Sequence, residues 1–161
     1  MKTIFGLFTN YEDAQDATVR LLDGPVNEKD INVIVNAEVA KQAMPVNRRT
    51  AAVEATDEVG EQTLHGLDAL IGRQQPLTIA GVGELFVSGD MATIMARESA
   101  QTGNLAATLH DFNVDGEAAQ VYSEAIVDGH WLVWVRAADQ QAGRVSQIMS
   151  ACNGRRVANH M

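Results

Sequence analysis

Residues 130–137, HWLVWVRA, set the architecture that we expect for this chain. Their length and composition predict a β-strand. The apolar side chains divide between the two faces of that strand, with Trp131, Val133 and Val135 on one face and Leu132 and Trp134 on the other. A strand that is apolar on both faces is typical of a sheet covered on both sides. We expect Leu132 and Trp134 to form an interface with a second subunit and the other three to point into the core, and the opposite assignment stays open.

A helix is predicted directly before this strand. Its apolar residues recur at the spacing of an amphipathic helix, at positions Ala118, Val121, Tyr122, Ala125 and Ile126. Asp115 supplies an N-cap and Gly129 a stop. Because Tyr122 belongs to the apolar stripe, we interpret it as a residue of the core edge and not as a catalytic phenol.

The order of strand, polar corner and helix occurs at both ends of the chain. One alignment of the two ends matches five pairs of apolar residues: Ile4 with Leu132, Leu7 with Val135, Ala14 with Ala142, Ala17 with Val145 and Leu21 with Met149. The opening strand, residues 2–8, is followed by a helix capped by Asn10 and by a second strand, residues 31–36. A connection of this length joins parallel strands that need not be neighbours. We expect a single α+β domain over residues 1–161, with a small ferredoxin-like sheet built from two βα halves.

The middle of the chain differs in character from its two ends. Residues 41–62 have weak periodicity, a proline and mixed charge, which predicts a surface loop. Apolar residues recur at helical spacing within residues 64–112, and we expect this segment to form an inserted helical lobe that contains a glycine turn. The lobe should cover an edge or the second face of the sheet.

The glycine-containing stretch AGVGELFVSGDMA, residues 80–92, does not fit a phosphate-binding loop. Gly89 is followed by Asp90, where a Walker loop requires Lys. Phe86 occupies the position of the third glycine in a dinucleotide-binding loop. We therefore interpret the stretch as a turn beside a short strand, with Ser88 or Asp90 capping the next helix.

Gly81 and Gly83 are the candidate ligand-binding residues of this stretch. Glycine allows a ligand to approach the backbone closely, and an apolar strand follows the two residues. A small-molecule ligand would lie at this turn or between subunits.

The motif AGVGELFVSGDMA and the residues that follow it resemble the bacterial general stress protein family, also described as heat-induced or low-temperature-induced stress proteins. The resemblance continues in a closing pattern of Gly103, Leu105, Leu109, Val114, Ala118, Tyr122, Gly129 and LVWVRA, and it covers residues 1–37 and 77–152. It implies a βα opening, a glycine-containing central hairpin and a stress context, while the family's biochemical role is largely unassigned. Many members carry an apolar hairpin rich in glycine and alanine, which charged residues between Arg48 and Glu61 replace here.

Charge and cysteine content limit the classes of partner and compartment. The chain carries 21 acidic residues against 12 basic ones, a net charge of -9, which disfavours nucleic acid. Cys152 is the single cysteine, so we interpret it as a buried structural thiol and expect a cytoplasmic protein. No segment approaches the ~20 apolar residues of a membrane span, so no membrane partner is expected.

No catalytic or metal site is predicted. The four histidines, His65, His110, His130 and His160, lack the spacing of metal ligands. Ser88 lacks the G-x-S-x-G frame of a nucleophile elbow. We therefore expect a non-enzymatic stress-response protein without cofactor or metal that acts as a homo-oligomeric interaction module. The alternative is a small-molecule-binding sensor domain.

Overall fold

A computed structural model of the chain describes residues 2–24, 26–43, 67, 70, 77–79, 83–103, 105–111 and 114–159. Within these residues the elements follow in the order β1 Lys2–Phe8, α1 Tyr11–Asp23, a 3₁₀ turn Glu28–Asp30, β2 Ile31–Asn36, α2 Ala37–Ala43, β3 Leu77–Ile79, β4 Gly83–Ser88, α3 Asp90–Thr102, α4 Leu105–Asp111, α5 Gly116–Val127, β5 Trp131–Ala137, α6 Asp139–Ala151 and β6 Arg155–Asn159. The prediction of an α+β protein is confirmed.

The described strands form one antiparallel sheet in the order β3-β4-β2-β5-β1-β6. The strand predicted from HWLVWVRA, β5, lies inside the sheet and pairs with both β1 and β2. Since β1 and β2 are each antiparallel to β5, they run parallel to one another without being neighbours. The crossover predicted for the opening βαβ segment is therefore confirmed.

One face of the sheet is covered by α1 and α6. Both helices place small or medium apolar residues at helical spacing against the strands, and these are Ala14, Ala17, Leu21, Ala142, Val145 and Met149. From β5, Trp131, Val133 and Val135 point to this side and are fully buried. Their predicted place in the core is confirmed.

The opposite face is covered by α3, α4 and α5 of the same chain. The ring of Phe5 stacks on Trp134 with centroids 5.1 Å apart and on Tyr122 of α5 with centroids 5.3 Å apart. Leu132 and Trp134 belong to this second core, and both are 0% exposed. The expectation that these two residues meet a second subunit is thereby corrected, because helices of their own chain already occupy that face.

The segment 64–112 contributes strands to the sheet and helices that cover one face of it. Its two described strands, β3 and β4, extend the sheet beyond β2, with Val87 paired to Ile34. Its two described helices, α3 and α4, lie over the second face. The segment therefore differs from a purely helical lobe. Of the surface loop expected at 41–62, the first three residues belong to α2 and the remainder lies outside the described residues.

The two βα halves correspond, except that the loop between strand and helix is one residue longer in the first half than in the second. Two residues, Thr9 and Asn10, connect β1 to α1, whereas Ala138 alone connects β5 to α6. The residues of α1 and α6 that the predicted repeat matches are buried on the same face of the sheet. In the strands, Ile4 faces α1 and α6 while its predicted match, Leu132, faces α5. A displacement of one residue is enough to exchange the faces of a strand.

Candidate ligand-binding sites

The glycines expected to hold a ligand are not brought to a described cavity. Gly81 lies outside the described residues. Gly83 begins β4 as an exposed residue with φ +107°, and no atom lies within 4 Å of the position of an added Cβ. Among the described cavities none is lined by Gly83. The glycine turn thus stays a candidate on sequence grounds alone.

Gly89 and Asn32 form the junction between the sheet and α3. Gly89 has φ +100° and ψ 152°, and an added Cβ would lie 2.6 Å from the carbonyl oxygen of Ile31 and overlap the Asn32 side chain. Asn32, 1% exposed, accepts a hydrogen bond from the Ala92 amide at Oδ1, 3.0 Å away. The predicted cap from the Ser88 or Asp90 side chain is therefore wrong, because a side chain from β2 takes that place.

A cavity of about 540 Å³ adjoins this junction. Its lining residues are Asn27, Glu28, Lys29, Leu70, Ser88, Gly89 and Asp90. The carboxylates of Glu28 and Asp90 are exposed beside the first turn of α3, where they oppose a phosphate that the helix dipole would otherwise attract. The described residues of this cavity offer mixed charge, and none of them is a buried charged group or has a buried polar atom without a partner.

A second cavity, of about 280 Å³, lies at one end of the sheet between α1 and α2. Its lining residues are Thr9, Asn10, Tyr11, Glu12, Val39, Gln42, Ala43 and Trp131. Phe8, the last residue of β1, pairs with Trp131, the first residue of β5, so the turn into α1 passes beside the indole ring. We call this space the Trp131 cavity.

Trp131 lines this cavity and carries a buried donor without a partner. The residue is 0% exposed, and within the described chain its Nε1 has no hydrogen-bond acceptor. The Tyr11 ring is tilted by 57° against the indole, with centroids 5.8 Å apart. A buried donor without an acceptor costs about 1–3 kcal/mol. Such donors are rare in folded proteins, so this one requires an explanation.

Trp134 provides an internal comparison for Trp131. Its Nε1 is likewise buried without an acceptor in the described residues. However, Trp134 faces the opposite side of the sheet, in the stack with Phe5, and it lines none of the described cavities. The two indoles on opposite faces cannot form the shared stacking platform that nucleic-acid bases require, as the sequence predicts.

The electrostatics of the Trp131 cavity are set by the start of α1. Asn10 is occupied as the N-cap, since its Oδ1 accepts a hydrogen bond from the Asp13 amide at 2.8 Å and its Nδ2 donates to the Asp13 carboxylate at 3.1 Å. Glu12 is the single charged residue among the described residues of the lining, which include no cationic side chain. The cavity is therefore mainly apolar with a negative rim.

A third cavity, of about 270 Å³, lies on the α5 side of the sheet. Its polar lining residues are Glu124, Asp128, His130 and Arg155. Arg155 pairs with Leu7 across β6 and β1, which places it on the same side as α5. In the described ranges, no three His, Cys, Asp or Glu side chains are placed to hold a metal ion.

Cys152 is buried beside α1. Its Sγ donates to the Asp16 carboxylate, 3.7 Å away, and the residue is 3% exposed. Burial raises the pKa of the Cys152 thiol, and the negative charge of Asp16 raises it further. Both effects keep the thiol protonated, so the predicted structural role fits a group that is a poor nucleophile.

Sequence reasoning missed the Trp131 cavity because its walls come from separate elements. Asn10 and Trp131 are both visible in the sequence, one as a helix cap and the other as a strand residue. The approach of α2, which contributes Val39 and Gln42, has no signal in the sequence. No family model, no curated protein and no solved structure matches the chain. In the described part of the chain, no helix has both the length and the apolar character needed to cross a membrane.

Proposed function

We propose that this chain is a non-enzymatic domain that binds a small molecule in the Trp131 cavity. The observation that supports the proposal is the unpartnered Nε1 of Trp131 beside a mainly apolar cavity. Ligand pockets are typically apolar spaces with a few placed polar groups. A bound acceptor would satisfy a donor that the described residues leave unsatisfied. The proposal moves the ligand site of the sequence-based alternative from the glycine turn or the subunit interface to the start of β5.

The experiment is a thermal-shift screen in which three proteins are each tested against uncharged metabolites, amino acids and nucleotides. These are the wild type, Trp131→Phe and the matched variant Trp134→Phe, which removes the other unpartnered indole. A ligand of the cavity present at ~100 times its Kd adds about 2.7 kcal/mol of stability to the wild type and to Trp134→Phe. Trp131→Phe should lose most of that gain. A screen without a stabilising compound, or one whose hits are insensitive to Trp131→Phe, contradicts the proposed site.

We also propose that the fold is ferredoxin-like with a long insertion. The strand order β6-β1-β5-β2, joined by α1 and α6 on one face, supports it, because that fold is a split βαβ arrangement of two βα halves. On this proposal residues 37–127 form the insertion. Its helices α3, α4 and α5 cover the sheet face that α1 and α6 leave open.

The homo-oligomeric interaction module in a stress response stays a prediction from the sequence and from the family resemblance. Its structural reason has changed, because Leu132 and Trp134 are buried in a single chain. The strands β3 and β6 are the two edges of the described sheet and are the places where a second copy could add strands. Light scattering measures the mass, and a monodisperse monomer at high concentration contradicts the oligomer.

A further inference from the structure

Resting on the function proposed above, we infer that the Trp131 cavity takes an uncharged, mainly apolar ring compound with one hydrogen-bond acceptor, such as a carbonyl oxygen. The acceptor would bond to Nε1 of Trp131. Three properties of the cavity lead to this class of ligand: the polarity of its buried group, the charge of its rim and its size.

The buried polar group requires an acceptor. An indole Nε1 donates one hydrogen bond and accepts none. Since no acceptor lies within reach in the described chain, the ligand has to bring one. An ammonium compound offers donors alone and leaves the indole unsatisfied. A hydrocarbon leaves it equally unsatisfied.

The charge of the described rim disfavours anions. Glu12 lines the cavity, and Asp13 lies in the same first turn of α1. These two carboxylates already balance the positive end of the helix dipole, which would otherwise attract an anion. The part of the lining that the structure describes includes no cationic side chain. A carboxylate or phosphate ligand would therefore meet repulsion without a compensating ion pair.

The volume and the walls favour a single ring. About 280 Å³ lies just below the range of roughly 300–1,000 Å³ that is typical of drug-sized ligands. The walls include the rings of Tyr11 and Trp131 and the aliphatic side chains of Val39 and Ala43. Aromatic rings pack well against such walls in offset or tilted arrangements.

The test uses three probes of similar size: benzamide, which is neutral and has a carbonyl acceptor; benzoate, which is an anion; and toluene, which has no acceptor. NMR titration of ¹⁵N-labelled full-length protein follows the two indole N–H resonances, with Trp134 as the control on the other face. We expect benzamide to shift the Trp131 resonance saturably and to leave the Trp134 resonance in place. Benzoate and toluene should each bind about tenfold more weakly, the effect of losing one buried hydrogen bond or adding one repulsion.

The outcomes separate this inference from the function on which it rests. If benzamide, benzoate and toluene bind equally well and move signals of Tyr11 and Val39 but not the Trp131 indole, the cavity binds ligands and the inferred class is overturned. If no probe moves a signal of a cavity residue, the proposed function falls with it. Trp131→Phe should weaken benzamide binding about tenfold and Trp134→Phe less than about twofold. The wild-type titration decides the question even if a variant does not fold.

Discussion

Gly89 lies where the sheet passes into the second helical layer, and its backbone conformation there is one that other residues rarely adopt. Its φ of +100° combines with an approach to Ile31 and Asn32 that leaves no space for a side chain. We expect Gly89→Ala to lower the free energy of unfolding by at least about 1–3 kcal/mol, the usual cost of a strained backbone. Urea denaturation measures the change.

Gly143→Ala is the matched control for that substitution. Gly143 lies within α6, and no atom lies within 4 Å of the position of its added Cβ. Alanine is the better helix former, so this variant should gain about 0.5–1 kcal/mol. Equal effects of the two substitutions would show that the Gly89 conformation is not required.

The thiol of Cys152 should make the free energy of unfolding depend on pH, and the direction of that dependence follows from its raised pKa. Its pKa is raised by burial and by Asp16 above the ordinary value of about 8.5, so the folded protein holds the thiol proton more tightly than the unfolded chain. The stability that this contributes is complete below about pH 8.5 and is lost as the pH rises through the folded pKa. The stability advantage of the wild type over Cys152→Ala should therefore shrink as the pH rises above about 8.5. Urea titrations at several pH values check this, and a constant difference would contradict it.

At the scale of the element, asparagine caps one helix of this chain locally and another at long range. Asn10 caps α1 from its own N-terminus, and the sequence predicts that cap correctly. Asn32 caps α3 from a strand 60 residues earlier. Local sequence rules apply to caps within a few residues, so the second cap could not be predicted.

Alanine at these two positions should cost different amounts. Asn10→Ala removes a cap whose amide can bond to water instead, at a cost of about 1 kcal/mol. Asn32→Ala leaves the Ala92 amide without its acceptor at a buried junction and opens a small cavity, so we expect a loss about two to three times as large. Chemical denaturation of both variants makes the comparison, and equal losses would argue against a buried cap.

The repeat between the two ends of the chain was predicted correctly in its helices and with an error of one residue in its strands. Helix periodicity correctly identified the buried residues of α1 and α6, because their faces follow from spacing alone. The strand match was displaced by one residue, because the linker before α1 is one residue longer than the linker before α6. Composition alone does not reveal the length of such a linker, so it could not fix the alignment of the two strands.

At the scale of the whole molecule, both layers of helices depend on β5. Trp134 is fully buried in the stack with Phe5. We expect Trp134→Glu to unfold the chain, because burying an unpaired carboxylate costs more than a typical domain's stability of about 5–15 kcal/mol allows. Circular dichroism should show loss of the helical signal. A folded variant of reduced oligomeric mass would instead restore the predicted interface.

The sequence predicted the class of the fold, the crossover between β1 and β2 and the burial of Trp131, Val133 and Val135 of β5 in the core. It did not predict that β3 and β4 extend the sheet or that α5 covers Trp134, because both depend on contacts between distant parts of the chain. The Trp131 cavity depends on the same kind of contact. Its donor is visible in the sequence, while the absence of an acceptor is a property of the packed structure.

The strand order also determines how long β1 waits for its partner strands during translation. Of the described strands, β1 is synthesised before the others, yet its two partners, β5 and β6, are the last two of them to be synthesised. At about 5–20 residues per second, roughly ten seconds of translation pass before either partner exists. During that interval the apolar residues of β1 have no strand to pair with, and pairing across such a distance is slow. A nascent chain of this protein therefore carries an unpaired, apolar β1 until β5 has emerged.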